Sequence, residues 1–103
     1  MKKYLYNITI NISWADHEQW LIWMREAYLP FLNSTNLIAK HLLLRLKDID
    51  ETDGPTYALQ IFVETEVLYS KFASEHLSEI NQLQKARWGN NMLSFATLME
   101  VVH

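Results

Sequence analysis

The chain has 103 residues, half of them hydrophobic and a fifth charged, which is typical of one globular domain with a single core. Its formal net charge of −3 makes it a poor candidate for binding nucleic-acid phosphates. The absence of cysteine excludes disulfides, thiol nucleophiles and zinc–thiolate centres. We therefore expect one domain over residues 1–103 and no nucleic-acid partner.

The amino-terminal residues begin like a signal peptide, with Lys2 and Lys3. The apolar stretch that such a peptide requires is interrupted by Asn7, Thr9 and Asn11. No run of residues approaches the ~18 apolar residues of a membrane-spanning helix. We expect a cytoplasmic protein that does not associate with membranes.

The first predicted element is a strand in which polar and apolar residues alternate. Period two sends successive side chains to opposite faces of a sheet. The apolar row contains Tyr4, Tyr6, Ile8, Ile10 and Ile12. The polar row contains Asn7, Thr9 and Asn11. We expect the apolar row to lie in the core and the polar row to face water, a ligand or a second subunit.

The second predicted element is a helix after Ser13, where Asp16 and Gln19 fit a capping box. Apolar residues then recur on one helical stripe. Its members are Trp20, Trp23, Met24, Ala27, Tyr28 and Phe31. Pro30 lacks an amide donor and clashes with the preceding turn, so we expect regular helix to stop near it.

The next two predicted strands run from Leu37 to Lys47 and from Pro55 to Glu64, with a turn at Gly54 between them. In the first of these we place toward the helices Ile38, Leu42, Leu44 and Leu46, and on the other face His41, Leu43 and Arg45. In the second we place toward the helices Tyr57, Leu59, Ile61 and Val63, and on the other face Ala58, Gln60, Phe62 and Glu64.

A second helix is predicted after Thr65, which is a suitable N-cap residue. Phe72, Ile80 and Leu83 follow its helical spacing. A last strand is predicted from Met92 to Val102. The resulting β-α-β-β-α-β order is that of the ferredoxin-like fold, an α+β architecture with two helices on one face of a four-stranded antiparallel sheet. The other sheet face would stay open and amphipathic, as in an interaction surface.

The chain resembles a family of small, uncharacterised bacterial proteins in the dimeric α+β-barrel, ferredoxin-like group. The resemblance is carried by residues 6–12, 20–24, Leu29-Pro30, Tyr69 and residues 95–100. It implies the fold and a homodimer formed through the open sheet faces, and it implies no reaction. Tyr28 stands where that family usually has a histidine, and Ala96 where it often has an arginine.

Three short patterns resemble metal sites. His17 and Glu18 begin like a zincin motif, but the second histidine is missing. The aspartates of residues 48–53 resemble a calcium loop, but the twelfth position holds Leu59. Glu75, His76 and Glu79 have helical spacing, which fits surface pairing or a buried, hydrogen-bonded histidine better than a metal site. We expect no metal and no cofactor.

The candidate site on the open sheet face comprises Asn7, Thr9, His41, Arg45, Gln60 and Glu64. These groups could bind a small polar ligand, or tune His41 as an acid or base. The alternative, which we favour, is that they pair across a dimer interface and set its register. We favour a homodimeric binding or interaction module. The alternative is a cofactor-free small-molecule enzyme, monooxygenase- or isomerase-like, with a pocket lined by His41 or Tyr28.

Overall fold

The structure is a computed structural model that describes residues 3–103. Its four strands are β1 (Lys3–Ile12), β2 (Lys40–Arg45), β3 (Thr56–Val63) and β4 (Met92–Val101). Helix α1 occupies residues 17–34 between β1 and β2, and helix α2 occupies residues 66–88 between β3 and β4. The predicted β-α-β-β-α-β order is confirmed.

The strands form one antiparallel sheet in the order β2-β3-β1-β4. β1 therefore lies inside the sheet, between β3 and β4, while β2 and β4 form the edges. Two helices and this strand order make an α+β, ferredoxin-like fold, as the sequence predicted. Among residues 3–103, no helix has the length and apolar character needed to cross a membrane.

Both helices contain a wider, π-helical turn at mid-length. In α1 the segments are His17–Trp23, the π turn Met24–Tyr28, and Leu29–Ser34. In α2 they are Glu66–Phe72, the π turn Ala73–Leu77, and Ser78–Trp88.

The expectation that regular helix stops near Pro30 is wrong, because α1 continues to Ser34. Pro30 lies in the first turn of the segment that follows the π turn. A proline is tolerated in a first helical turn because its missing amide has little to bond there.

The core lies between the helices and the apolar row of β1. Ile10 and Ile12 are completely buried there, as are Trp20 of α1 and Phe72 of α2. β3 contributes its row of Tyr57, Leu59, Ile61 and Val63. The predicted faces of β1 and β3 are therefore confirmed.

The predicted faces of β2 are wrong. His41 lies across from Ile61 and Arg45 across from Tyr57, which places both on the helix side of the sheet. Leu42 lies across from Gln60, on the opposite face. Because β2 is an edge strand that is only partly covered, leucines occupy both of its rows, and the alternation that identifies the buried face is lost.

One predicted helix cap is confirmed and the other is wrong. The Thr65 hydroxyl accepts a hydrogen bond from the backbone amide of Leu68 at 3.1 Å. Asp16 precedes α1 but makes no capping hydrogen bond. Its carboxylate instead accepts one from the Asn91 side-chain amide at 2.8 Å and so links the start of α1 to the start of β4.

The turn before β3 depends on Gly54, which has φ of 149°. A Cβ atom built there would lie 1.9 Å from the backbone oxygen of Ile12. Glycine is therefore required by both its conformation and the close approach of the β1 backbone.

We predict that Thr65→Ala lowers the free energy of unfolding by about 1 kcal/mol, because it removes the cap of α2. Thr65→Ser keeps the hydroxyl and serves as the matched control. Urea denaturation followed by circular dichroism measures both variants. Equal destabilisation by the two substitutions would contradict the capping role.

Candidate functional site

The sheet face opposite the helices is the largest candidate surface, and we call it the open face. Cross-strand partners share a face, so the register defines its members. From edge to edge these are Lys40, Leu42 and Leu44 of β2; Phe62, Gln60, Ala58 and Thr56 of β3; Lys3, Leu5, Asn7, Thr9 and Asn11 of β1; and Val101, Met99, Thr97, Phe95 and Leu93 of β4.

Polar side chains occupy the middle of the open face. Asn7 lies across from Gln60 on β3, and its side-chain amide donates to the Thr9 hydroxyl at 3.2 Å. Asn11 has a different role, because its amide donates to the Gly54 and Pro55 carbonyls and to the Thr56 hydroxyl. Asn11 therefore holds the turn before β3 in place, whereas Asn7, Thr9 and Gln60 form the polar centre.

Apolar side chains dominate the two edges of the open face. On β4, Leu93 is 70% exposed and Phe95 is 66% exposed. On β2, Leu42 is 41% exposed and Leu44 is 43% exposed. Exposed apolar rows of this extent are uncommon on an isolated domain and are typical of interaction surfaces.

Charged side chains gather at one end of the open face. The Lys3 ammonium lies 3.4 Å from the Glu64 carboxylate, and both side chains are more than half exposed. The Lys40 ammonium lies 4.7 Å from the centre of the Phe62 ring. These residues border a shallow cleft of about 400 Å³. An exposed ion pair of this kind contributes little to stability.

Arg45 takes part in a polar network on the helix side of the sheet. Its guanidinium donates to both Glu51 carboxylate oxygens, at 3.0 and 3.2 Å. It also lies 5.8 Å from the Trp14 ring, whose indole N–H donates to the Glu51 backbone oxygen at 2.7 Å. Near them the His17 Nε2 atom and the Tyr57 hydroxyl are 2.6 Å apart. The network joins the start of α1 to the loop between β2 and β3.

Protonation of His17 is disfavoured in this network. Burial lowers the pKa of His17 from its usual value of 6.5, and the Arg45 guanidinium lowers this pKa further. Glu18 and Glu51 act in the opposite direction on the same pKa. Burial also raises the pKa of the Tyr57 hydroxyl, so tyrosine remains protonated beside a neutral histidine.

The six residues of the predicted site therefore do not form one cluster. Asn7, Thr9 and Gln60 meet at the centre of the open face, and Glu64 lies at its charged end. His41 and Arg45 lie on the other side of the sheet. The prediction that His41 and Arg45 share the open face with the other four residues is wrong, and Arg45 pairs with Glu51 instead. A ligand-binding role for the polar centre stays a prediction.

A second polar group went unrecognised in the sequence. Gln84 is 3% exposed and lies on the apolar stripe of α2, four residues from both Ile80 and Trp88. The sequence could have revealed it, because the helical spacing predicts an apolar residue at position 84 and the chain has a glutamine there. Tyr28 is also buried, and the Gln84 amide acts on the pKa of its hydroxyl, so the two polar side chains are neighbours in the core.

The family assignment rests on nearly the whole chain. Residues 3–102 match the model of a family described as a domain of unknown function, DUF4286. The chain belongs to this family. The expected membership of an uncharacterised family is confirmed, and no function is assigned to the family. No curated protein is similar enough to the chain to count as a match.

Several solved structures share the fold. A dimeric ferredoxin-like protein from an uncultured marine organism is 9% identical, with a TM-score of 0.69 over 100% of this chain and 98% of that chain. A protein of unknown function from Nitrosomonas europaea is 11% identical, with a TM-score of 0.64 over 98% and 91% of the two chains. A Bacteroides thetaiotaomicron protein described as a possible oxidoreductase is 10% identical, with a TM-score of 0.64 over 97% and 98%. Identities this low show the fold alone.

We predict that His17 makes stability depend on pH near neutrality. Because its folded-state pKa lies below 6.5, the unfolded chain binds a proton first as the pH falls through 6.5, and unfolding becomes easier. The free energy of unfolding should therefore fall between pH 7.5 and 5.5, by about 0.5 kcal/mol or less for this partly exposed group.

The measurement is urea denaturation of the wild type and of His17→Gln at both pH values. The variant should show a smaller difference between them. Asp50 and Glu51, whose pKa values are lowered by hydrogen bonds from Thr52 and Arg45, affect stability only at lower pH. An unchanged pH dependence in His17→Gln would exclude this role.

Proposed function

We propose that the protein is a homodimeric binding module in which the open faces of two copies pack against each other. The observation that carries the proposal is the pair of exposed apolar rows at the two edges of the open face, represented by Leu42 and Phe95. Face-to-face packing removes both rows from water, at about 25 cal/mol for each Å² of apolar surface buried.

The distribution of charge supports a protein partner on this face. Among the described residues of the strands, the charged side chains on this side of the sheet are Lys3 and Lys40, and Glu64, which directly follows β3, lies at the same end. The rest of the open face is neutral although the chain has a net charge of −3. Depletion of charge from the centre of a surface is typical of interface cores.

The arrangement of the rows favours a second copy as that partner. In a twofold-symmetric contact each subunit presents the same patch, so the centre meets the centre and the edges meet the edges. The side chains of Asn7 and Gln60 then face the polar centre of the second copy. Their neutral amides can donate and accept hydrogen bonds there. The dimeric ferredoxin-like protein from the marine organism has the same fold and supports this choice.

The remaining expectations stay predictions. A single domain, a bacterial cytoplasmic location and a small polar ligand at Asn7, Thr9 and Gln60 all belong to the proposal. For the enzyme alternative, the Bacteroides neighbour described as a possible oxidoreductase lends fold-level support, which does not specify a reaction. The enzyme alternative requires a pocket lined by His41 or Tyr28 of this chain. Tyr28 is buried, and His41 lies on the partly covered edge strand β2.

We predict that the wild type elutes at twice the 12.2 kDa mass of one chain. Leu42→Glu should shift it toward the monomer, because the substitution places a charge in the apolar edge of the interface. Phe95→Glu should do the same from the other edge. The measurement is multi-angle light scattering after size exclusion, at micromolar concentrations.

Leu83→Glu is the matched control, because Leu83 is also 41% exposed but lies on helix α2, away from the open face. It introduces the same charge and should leave the dimer intact. A monomeric wild type, or equal effects of Leu42→Glu and Leu83→Glu, would overturn the proposal. Circular dichroism shows that each variant is folded before its mass is interpreted.

A further inference from the structure

Two lysines flank one aromatic ring at the charged end of the open face. Lys40 of β2 lies directly across from Phe62 of β3, and Phe62 lies across from Leu5 of β1. Lys3 is two residues before Leu5, so it occupies the diagonal position from Phe62 on the same face. Phe62 therefore lies on the strand between the two lysines.

The ammonium groups of both lysines can reach one ligand. Because β3 lies between β2 and β1, Lys40 and Lys3 are offset by roughly 10 Å across the sheet and by about 7 Å along it. Their Cα atoms are then about 12 Å apart, and each lysine carries a long, flexible stem. A negatively charged group placed beside the Phe62 ring lies within reach of both side chains.

The two lysines differ in what they contact. The Lys3 ammonium lies 3.4 Å from the Glu64 carboxylate, whereas the Lys40 ammonium lies 4.7 Å from the centre of the Phe62 ring. No carboxylate among residues 3–103 forms an ion pair with Lys40. Two ammonium groups and one carboxylate leave one net positive charge at this end, in a chain whose net charge is −3. An anion is attracted to such a place.

These side chains line a cleft that lies where β1 and β2 begin and where β3 and β4 end. Its volume of about 400 Å³ falls within the range of small-molecule sites, which is about 300–1,000 Å³. The other lining residues are largely apolar, namely Tyr4, Ala39, Phe62, Val63 and Val101. Apolar walls with a few convergent polar or charged groups are typical of sites that bind small molecules.

The cleft is compatible with the dimer proposed above and does not rest on it. The open face is neutral except at this end, and interfaces keep their charged residues at a rim that stays accessible to water. In that dimer the cleft would lie at the rim. All the residues that line it belong to one subunit, so a monomer has the same cleft.

We propose that this cleft binds a small aromatic carboxylate. The carboxylate oxygens accept hydrogen bonds from the ammonium groups of Lys40 and Lys3. Lys40 is exposed and flexible, so its ammonium can turn from the Phe62 ring toward the ligand. The aromatic ring of the ligand packs against the apolar lining. A single carboxylate matches the one net positive charge of the cleft, and Glu64 disfavours a second negative charge.

The probe for this site is 2-naphthoate, followed by ¹H–¹⁵N spectra of the uniformly labelled protein. We expect saturable shifts of the Lys40, Phe62 and Glu64 backbone amides at millimolar 2-naphthoate. The neutral 2-naphthamide, which has the same rings, should bind about tenfold more weakly because it forms no ion pair. Equal affinities for the two compounds, or no saturable shift with 2-naphthoate, would overturn the proposal. Light scattering on the same samples separates the two proposals, since a dimer that does not bind 2-naphthoate contradicts only this one.

Three variants test the charges of the cleft. Lys40→Gln should weaken 2-naphthoate binding about fivefold, because it removes one ammonium group. Lys47→Gln is the matched control, since Lys47 is also exposed but follows β2 at its other end, and it should leave the affinity unchanged. Glu64→Gln should strengthen binding about threefold, because it releases Lys3 and removes a repelling charge. Equal affinities of Lys40→Gln and Lys47→Gln, or weaker binding by Glu64→Gln, would contradict the assignment.

Discussion

The structure depends on the burial of only one face of β1. This strand lies inside the sheet, and its isoleucine row is covered completely by two helices that both pack on the same side. Since a β-α-β-β-α-β chain with right-handed connections places both helices there, the second face receives no cover from its own chain. The apolar side chains at its edges, such as Leu93 and Phe95, are left in water. This asymmetry is the basis for the proposed partner on the open face.

Two sets of side-chain hydrogen bonds hold the loops around the sheet in place. Asn11 binds the backbone of the turn at Gly54, which fixes the start of β3 against β1. The bidentate pair of Arg45 and Glu51 holds the loop between β2 and β3 against the start of α1. Arg45, which looked like candidate chemistry in the sequence, is thus structural.

The sequence predicted the fold well where one physical requirement dominates. β1 and β3 alternate strictly because one face is buried and the other is not, so their buried faces follow from the pattern of Ile8, Ile10 and Ile12 or of Leu59 and Ile61. The cap at Thr65 follows from a single local hydrogen bond.

Where two requirements compete, the sequence was a poorer guide. In β2 both rows carry leucines, because the helices cover this edge strand only partly, and His41 and Arg45 were assigned to the wrong face. The π turn before Pro30 lets α1 continue through a residue that ordinarily ends a helix. Asp16 bonds to Asn91, a contact across 75 residues that no local rule anticipates.

The most direct test of the account is the distance between two subunits, which the absence of cysteine makes accessible to single labels. A spin label at Glu79→Cys, on the exposed side of α2, reports only on the distance between copies. Sheets that pack face to face lie about 10 Å apart, with a helix layer about 10 Å thick outside each, so double electron–electron resonance should give a separation of roughly 30 Å or more. A separation well under about 20 Å would mean that the helices form the interface, and the absence of any dipolar signal would mean that the protein is a monomer. Either result would contradict the assignment of the open face as the dimer interface.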